Sequence, residues 1–184
     1  VSVGTLCLRG RFNVSDPAAV KNLSLDLSFK GGVIVYLNGK EVSRANMPAG
    51  PAAITADAEP YPNEAWVRAD GKMLPINRRD RAGMTEDDVT RIAKRVRVMT
   101  AVQIPAAGLR KGANVLALEL HRSVYHPVAI GWWRAQNLVQ GITKQWTPVG
   151  LISLSLKGEG GVSANSDVAP GIQVWTADIN AEIE

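Results

Sequence analysis

The stretch "NLSLDLSF", residues 22–29, alternates apolar and polar side chains without a break. A period of two cannot make a helical stripe, which repeats about every 3.6 residues, and it fits a strand with one buried face. Leu23, Leu25, Leu27 and Phe29 fall on one side, Ser24, Asp26 and Ser28 on the other. Comparable strand-like runs are "TLCLRGRFNV", "VIVYLNGKEV", "RVRVMTAVQIP", "NVLALELH", "PVGLISLSLK" and "GIQVWTADI", which predicts seven or eight strands. Almost nothing is left over for crossovers, so parallel βαβ units are excluded. The fold class expected is all-β: one antiparallel β-sandwich domain over residues 1–184, with at most one short helix.

Turn chemistry supports the same reading. Asn38-Gly39 is a strong hairpin signal, because a type I′ turn needs positive φ at both central residues. From about 50 to 95 a Pro/Ala-rich, basic insertion interrupts the strands. Within it, Thr85 with Asp88 three residues on opens a short helix, with Val89, Ile92, Ala93 and Val96 at helical spacing. From about residue 95 alternation returns, placing Val96, Val98, Thr100, Val102 and Ile104 on one face until Pro105 ends the strand.

The net charge of +4 is concentrated in residues 72–97, which carry eight basic against four acidic side chains. A nucleic-acid surface is not expected, since acids interleave with the arginines and no aromatics accompany them. No run approaches 18 consecutive apolar residues, so no membrane-spanning helix is expected. Cys7, the one cysteine, excludes an internal disulfide and reads as a small buried residue between Leu6 and Leu8. The opening "VSVGTLCL" shows no Met or basic leader and reads as an excised fragment or a mature product.

The chain carries no nucleophile elbow, metalloprotease helix or Walker A loop, and a non-enzyme is expected. His121 and His126 read as a strand-end and a loop histidine rather than metal ligands, and Glu86, Asp87 and Asp88 as helix-dipole partners. The candidate binding residues are Tyr125, His126, Trp132, Trp133, Arg134 and Trp146, on a segment holding three of the five tryptophans. A sugar needs a flat aromatic face plus a few polar groups aimed at hydroxyls. On a strand, Trp132 and Trp133 point to opposite faces and Arg134 shares that of Trp132, making Trp132 the better platform and Trp133 the core plug. Core packing, or contact with a neighbouring domain, are the other uses for the cluster.

"LRGRFNVSDPAAVKNLSLDLSFKGGVIVYLNGKEVSRANMPAG" and "VQIPAAGLRKGANVLALELHRS" together resemble the two hallmark blocks of galactose-binding-like jelly-roll domains. The resemblance covers roughly a third of the chain. It implies a jelly-roll sandwich in a secreted or cell-surface bacterial multidomain protein, acting as a carbohydrate-binding module that targets an enzyme to a polysaccharide. The partners implied are a polysaccharide or oligosaccharide, acidic groups included in view of the arginines, and neighbouring domains. A structural calcium is compatible with the resemblance, with no ligands assigned; where relatives carry an acidic pair this chain has Lys30-Gly31. The alternative function is a structural or interaction module that packs against neighbouring domains and binds no glycan.

Overall fold

The computed structural model describes residues 3–74, 83–128, 130, 149–160 and 162–164. Eight strands form within them: β1 (Thr5–Val14), β2 (Lys21–Lys30), β3 (Gly32–Leu37), β4 (Lys40–Ala45), β5 (Arg97–Gln103), β6 (Gly112–His121), β7 (Gly150–Glu159) and β8 (Val162–Ala164). They make two sheets, ordered β4-β3-β6-β1-β8 and β5-β2-β7, and every strand pair is antiparallel. This is the all-β, two-sheet architecture that the alternation predicts.

One core lies between the sheets. Leu23, Leu25, Leu27 and Phe29 of β2 meet Val33, Val35 and Leu37 of β3 and Leu116, Leu118 and Leu120 of β6. Removing this apolar area from water is the principal term favouring the fold, at roughly 25 cal/mol per Å². Lys30-Gly31 is a corner between sheets rather than a hairpin, since β2 and β3 pair with different partners. Gly31 takes φ +87° there, a conformation open to glycine and costly for other residues.

The "LNG" and "GAN" stretches, remote in sequence, clasp one another. Asn38 and Gly39 have φ +51° and +84°, as the expected hairpin requires. Asn38 Nδ2 donates to Asn114 Oδ1 (2.8 Å) and to Gly108 O (2.9 Å), while Asn38 Oδ1 accepts from Val115 N–H (2.9 Å). Asn114, fully buried, also accepts from Arg110 N–H and donates to Arg110 O and Gly112 O, closing the turn before β6. A buried asparagine whose hydrogen bonds are all made is the structural use expected of this position.

Two expectations about facing need correction. Along β5, Val98 is 60% exposed while Met99 and Ile104 are buried. Ala101 at φ +51° inserts a bulge, and the register with β2 slips between Leu25 and Leu27, so alternation reverses halfway. Asp26 Oδ1 accepts the Ala101 N–H (2.7 Å), and Asp26 also pairs with Lys157. Ahead of β5, helix α1 (Glu86–Ala93) starts with the expected capping box at Thr85 and Asp88. Its Val89 is exposed and its buried residue is Asp88, whose two carboxylate oxygens accept from Arg68 Nε and Nη2, each at 2.6 Å. The helix is held by ion pairs, with Lys94 on Glu64 as a second anchor, rather than by an apolar stripe.

Residues 46–60 form a strap over the outer face of the five-stranded sheet. Ile34, Met47 and Ala58 make a small core beneath it, flanked by Tyr36, Ala52 and Ala56. Ala58 bridges Ser123 in parallel, and Ala58 N–H donates to Arg122 O (2.8 Å). Gly32 allows this approach: a Cβ there would meet Asn46 O and Met47 Sδ at 2.5 Å. Cys7, expected to be buried, is exposed, because odd positions of that half of β1 face outward and the strap does not cover it.

Candidate functional site

The polypeptide leaving β6 delivers His121, Arg122, Tyr125 and His126 in succession to one end of the molecule. There it meets the strap and the start of β1. Arg122 N–H donates to Gly4 O (2.8 Å) and Thr5 Oγ1 donates to Ile54 O (2.5 Å), which fixes three segments around a depression. Its volume is about 320 Å³, and Thr5, Ile54, Thr55, Ala56, Asp57 and Arg122 line it. That is the small end of the usual range for ligand sites, about 300–1,000 Å³.

The chemistry of the depression is mixed. Arg122 Nε stands 3.4 Å from Asp57 Oδ1, and the two side chains are 33% and 41% exposed. A surface pair at that length adds little stability, about 0–1 kcal/mol. A guanidinium beside a carboxylate offers donors next to acceptors, which is what two adjacent hydroxyls require. Two threonines add hydroxyls, and Ile54, exposed, supplies an apolar rim.

Beyond Arg122 the aromatic residues gather. Tyr125 packs on a second small core of Tyr61, Ala65, Trp66 and Val67. Burial raises the Tyr125 hydroxyl above its ordinary value, and the Arg122 charge opposes that rise. His126 stacks on Trp66 with centroids 6.2 Å apart and planes 24° from parallel. Desolvation lowers its pKa, favouring the neutral ring. Val128 N–H donates to Nδ1 (3.2 Å), so the neutral ring carries its proton on Nε2. A helical turn then starts at Pro127, with Ile130 N–H donating to His126 O (3.3 Å). Pro127 suits the first helical position, where its missing N–H would have no intrahelical partner.

Of the residues expected to bind, Tyr125 and His126 therefore lie together beside Trp66, while Trp132, Trp133, Arg134 and Trp146 lie outside the described residues. Trp66 anchors the long loop: it is 3% exposed and unavailable as a platform. Two described arginines of the basic segment pack on this same cluster. Arg95 lies 4.7 Å above the Trp66 ring and Arg97 4.2 Å above Tyr61, cation–π distances for both. Burial pushes the Arg95 guanidinium down to about 10. Arg97 also donates to the carbonyls of Gly31, Glu59 and Pro60, pinning the strap's end to the sheet corner.

The residues that sequence reasoning missed are Thr5, Thr55, Asp57 and Arg122. Thr55 and Asp57 sit in a stretch whose composition announces only a loop, and nothing local says that it folds back onto β6. Among the described residues no three His, Cys, Asp or Glu side chains converge as a metal site. Comparison with protein-family models, curated proteins and solved structures finds no match for this chain.

Proposed function

We propose that this chain is a non-catalytic carbohydrate-binding module of a secreted bacterial multidomain protein, built as a galactose-binding-like jelly roll. The observation that carries the reading is the depression in which Arg122 and Asp57 stand side by side, continuous along the chain with Tyr125 and His126. The paired charges would hold adjacent hydroxyls of one sugar ring. Trp132, which follows in the chain with Arg134 on the same face of an extended segment, would supply the stacking surface. The five-plus-three sheet arrangement and the Asn38–Asn114 clasp between the two family-like blocks support the jelly-roll assignment. The ligand class is a polysaccharide chain end or a short oligosaccharide, neutral or acidic.

A second reading, a structural module that orders neighbouring domains, draws on Val98, exposed on β5 at the edge of the three-stranded sheet. Affinity electrophoresis through gels of neutral and acidic polysaccharides separates the two. A binding module is retarded on at least one polymer, and Arg122→Ala or Trp132→Ala weakens that retardation. Free migration on every polymer favours the structural module.

A further inference from the structure

His121 lies at the end of β6 with its side chain wholly buried under the strap. Its Nδ1 is 2.8 Å from Ala56 O and its Nε2 is 2.9 Å from Glu119 Oε1. A carbonyl oxygen only accepts, so Nδ1 must carry a proton. Glu119 Oε2 in turn accepts from the Tyr36 hydroxyl (3.1 Å), a bond that favours the ionised carboxylate. A neutral imidazole brings one proton to two nitrogens that both face oxygen. The contact between Nε2 and Oε1 thus needs a second proton, and imidazole is the stronger base of the two.

We infer that His121 is a buried imidazolium paired with Glu119, and that this second proton latches the strap that walls the depression. Ala56 belongs both to the latch and to that wall, and Thr5, on the opposite wall, is the β1 register partner of His121. Loss of the proton forces a choice between the two acceptors. The charged carboxylate is the stronger one, so the remaining proton stays on Nε2 and Ala56 is released. The charged and titratable groups around the pair are Glu119 and Tyr36 themselves, Glu41 and Arg44 of β4 beside Tyr36, the Cys7 thiol opposite Glu119 on β1, and Asp57 with Arg122 at the strap's edge.

The coupling to ligand binding rests on the proposed glycan site; the latch itself does not, and it is measured without ligand. Long-range ¹H–¹⁵N spectra of the intact protein at neutral pH read the protonation of both ring nitrogens, with His126→Gln assigning the two histidines. Both nitrogens of His121 are expected in the protonated range. Glu119→Gln turns its amide to donate to Nε2, so His121 becomes neutral with the proton on Nδ1, and amide exchange at Ala58 stays slow. In the wild type, raising the pH until His121 loses a proton is expected to speed exchange at Ala58 by a larger factor than at strand amides away from the strap, where base catalysis alone acts. A lone-pair nitrogen on wild-type His121 at neutral pH overturns the inference, whether or not Glu119→Gln folds. Exchange at Ala58 that ignores the loss of the proton overturns the latch. Failure of every sugar to bind leaves both results standing and counts against the glycan site alone.

Discussion

Gly32→Ala tests whether the strap sits on the sheet only because position 32 has no side chain. The added Cβ would lie 2.5 Å from Asn46 O, 2.5 Å from Met47 Sδ and 2.8 Å from Ala58 Cβ. Relaxed carbon contacts begin near ~3.5 Å, so the strap must retreat by about 1 Å. The Met47 thioether can swing aside, but the other two groups are tied down. Asn46 O accepts from Glu59 N–H (2.9 Å), and Ala58 N–H is bonded to Arg122 O. Overpacking of this kind costs about 1–3 kcal/mol. The stiffer unfolded chain returns about 0.4–1 kcal/mol, leaving a net loss of about 1–2 kcal/mol. Urea unfolding reads that loss as a lower midpoint at unchanged slope. Gly10→Ala on β1 is the control, because a Cβ there meets nothing within 4 Å. Amide exchange at Ala58 and Glu59 should speed up in Gly32→Ala and not in the control. Equal stability of the two variants, with unchanged exchange at those amides, refutes the seating argument.

Asn114→Ala strands the Arg110 amide and carbonyl that close the turn before β6, and is expected to cost about 2–4 kcal/mol by urea unfolding. A double-mutant cycle with Asn38→Gly, which keeps the positive φ, should show a coupling above about 0.5 kcal/mol; additivity would deny the clasp. Arg68 holds the Asp88 carboxyl down at about 2, aided by the Thr85 amide. The folded chain therefore takes up that proton later than the unfolded chain. The resulting stability is complete above the ordinary carboxylate range near ~4 and is lost as the pH falls toward 2. Urea midpoints measured down the acid limb should fall less steeply in Asp88→Asn than in the wild type.

How far the sequence reveals the fold depends on whether the signal is local. Strands β2 and β6 and the β3–β4 hairpin are legible because alternation and Asn-Gly chemistry act within a few residues. The capping box at Thr85 and Asp88 is legible for the same reason. The phase of β5 is not, since the bulge at Ala101 is set by pairing with Asp26, some 75 residues away in sequence. The strap is also illegible: its prolines and alanines announce a loop, and its place over β3 and β6 follows from tertiary contacts at Gly32 and Ser123. That one omission hides most of the site. Without the strap, His121 reads as an edge residue and Asp57 has no link to Arg122. Tyr125 and His126 were legible as an aromatic cluster, but their partner Trp66 comes from a segment about 60 residues earlier.

Amide shift mapping tests the central claim most directly. The ¹⁵N-labelled protein is titrated with a panel of neutral and acidic oligosaccharides while every backbone amide is followed. A saturable shift centred on Thr55, Ala56, Asp57 and Arg122, extending to Tyr125 and His126 and weakened in Arg122→Ala, is the predicted result. Spectra unmoved by every sugar, or shifts confined to the β5 edge around Val98, would contradict a glycan site at the end of β6.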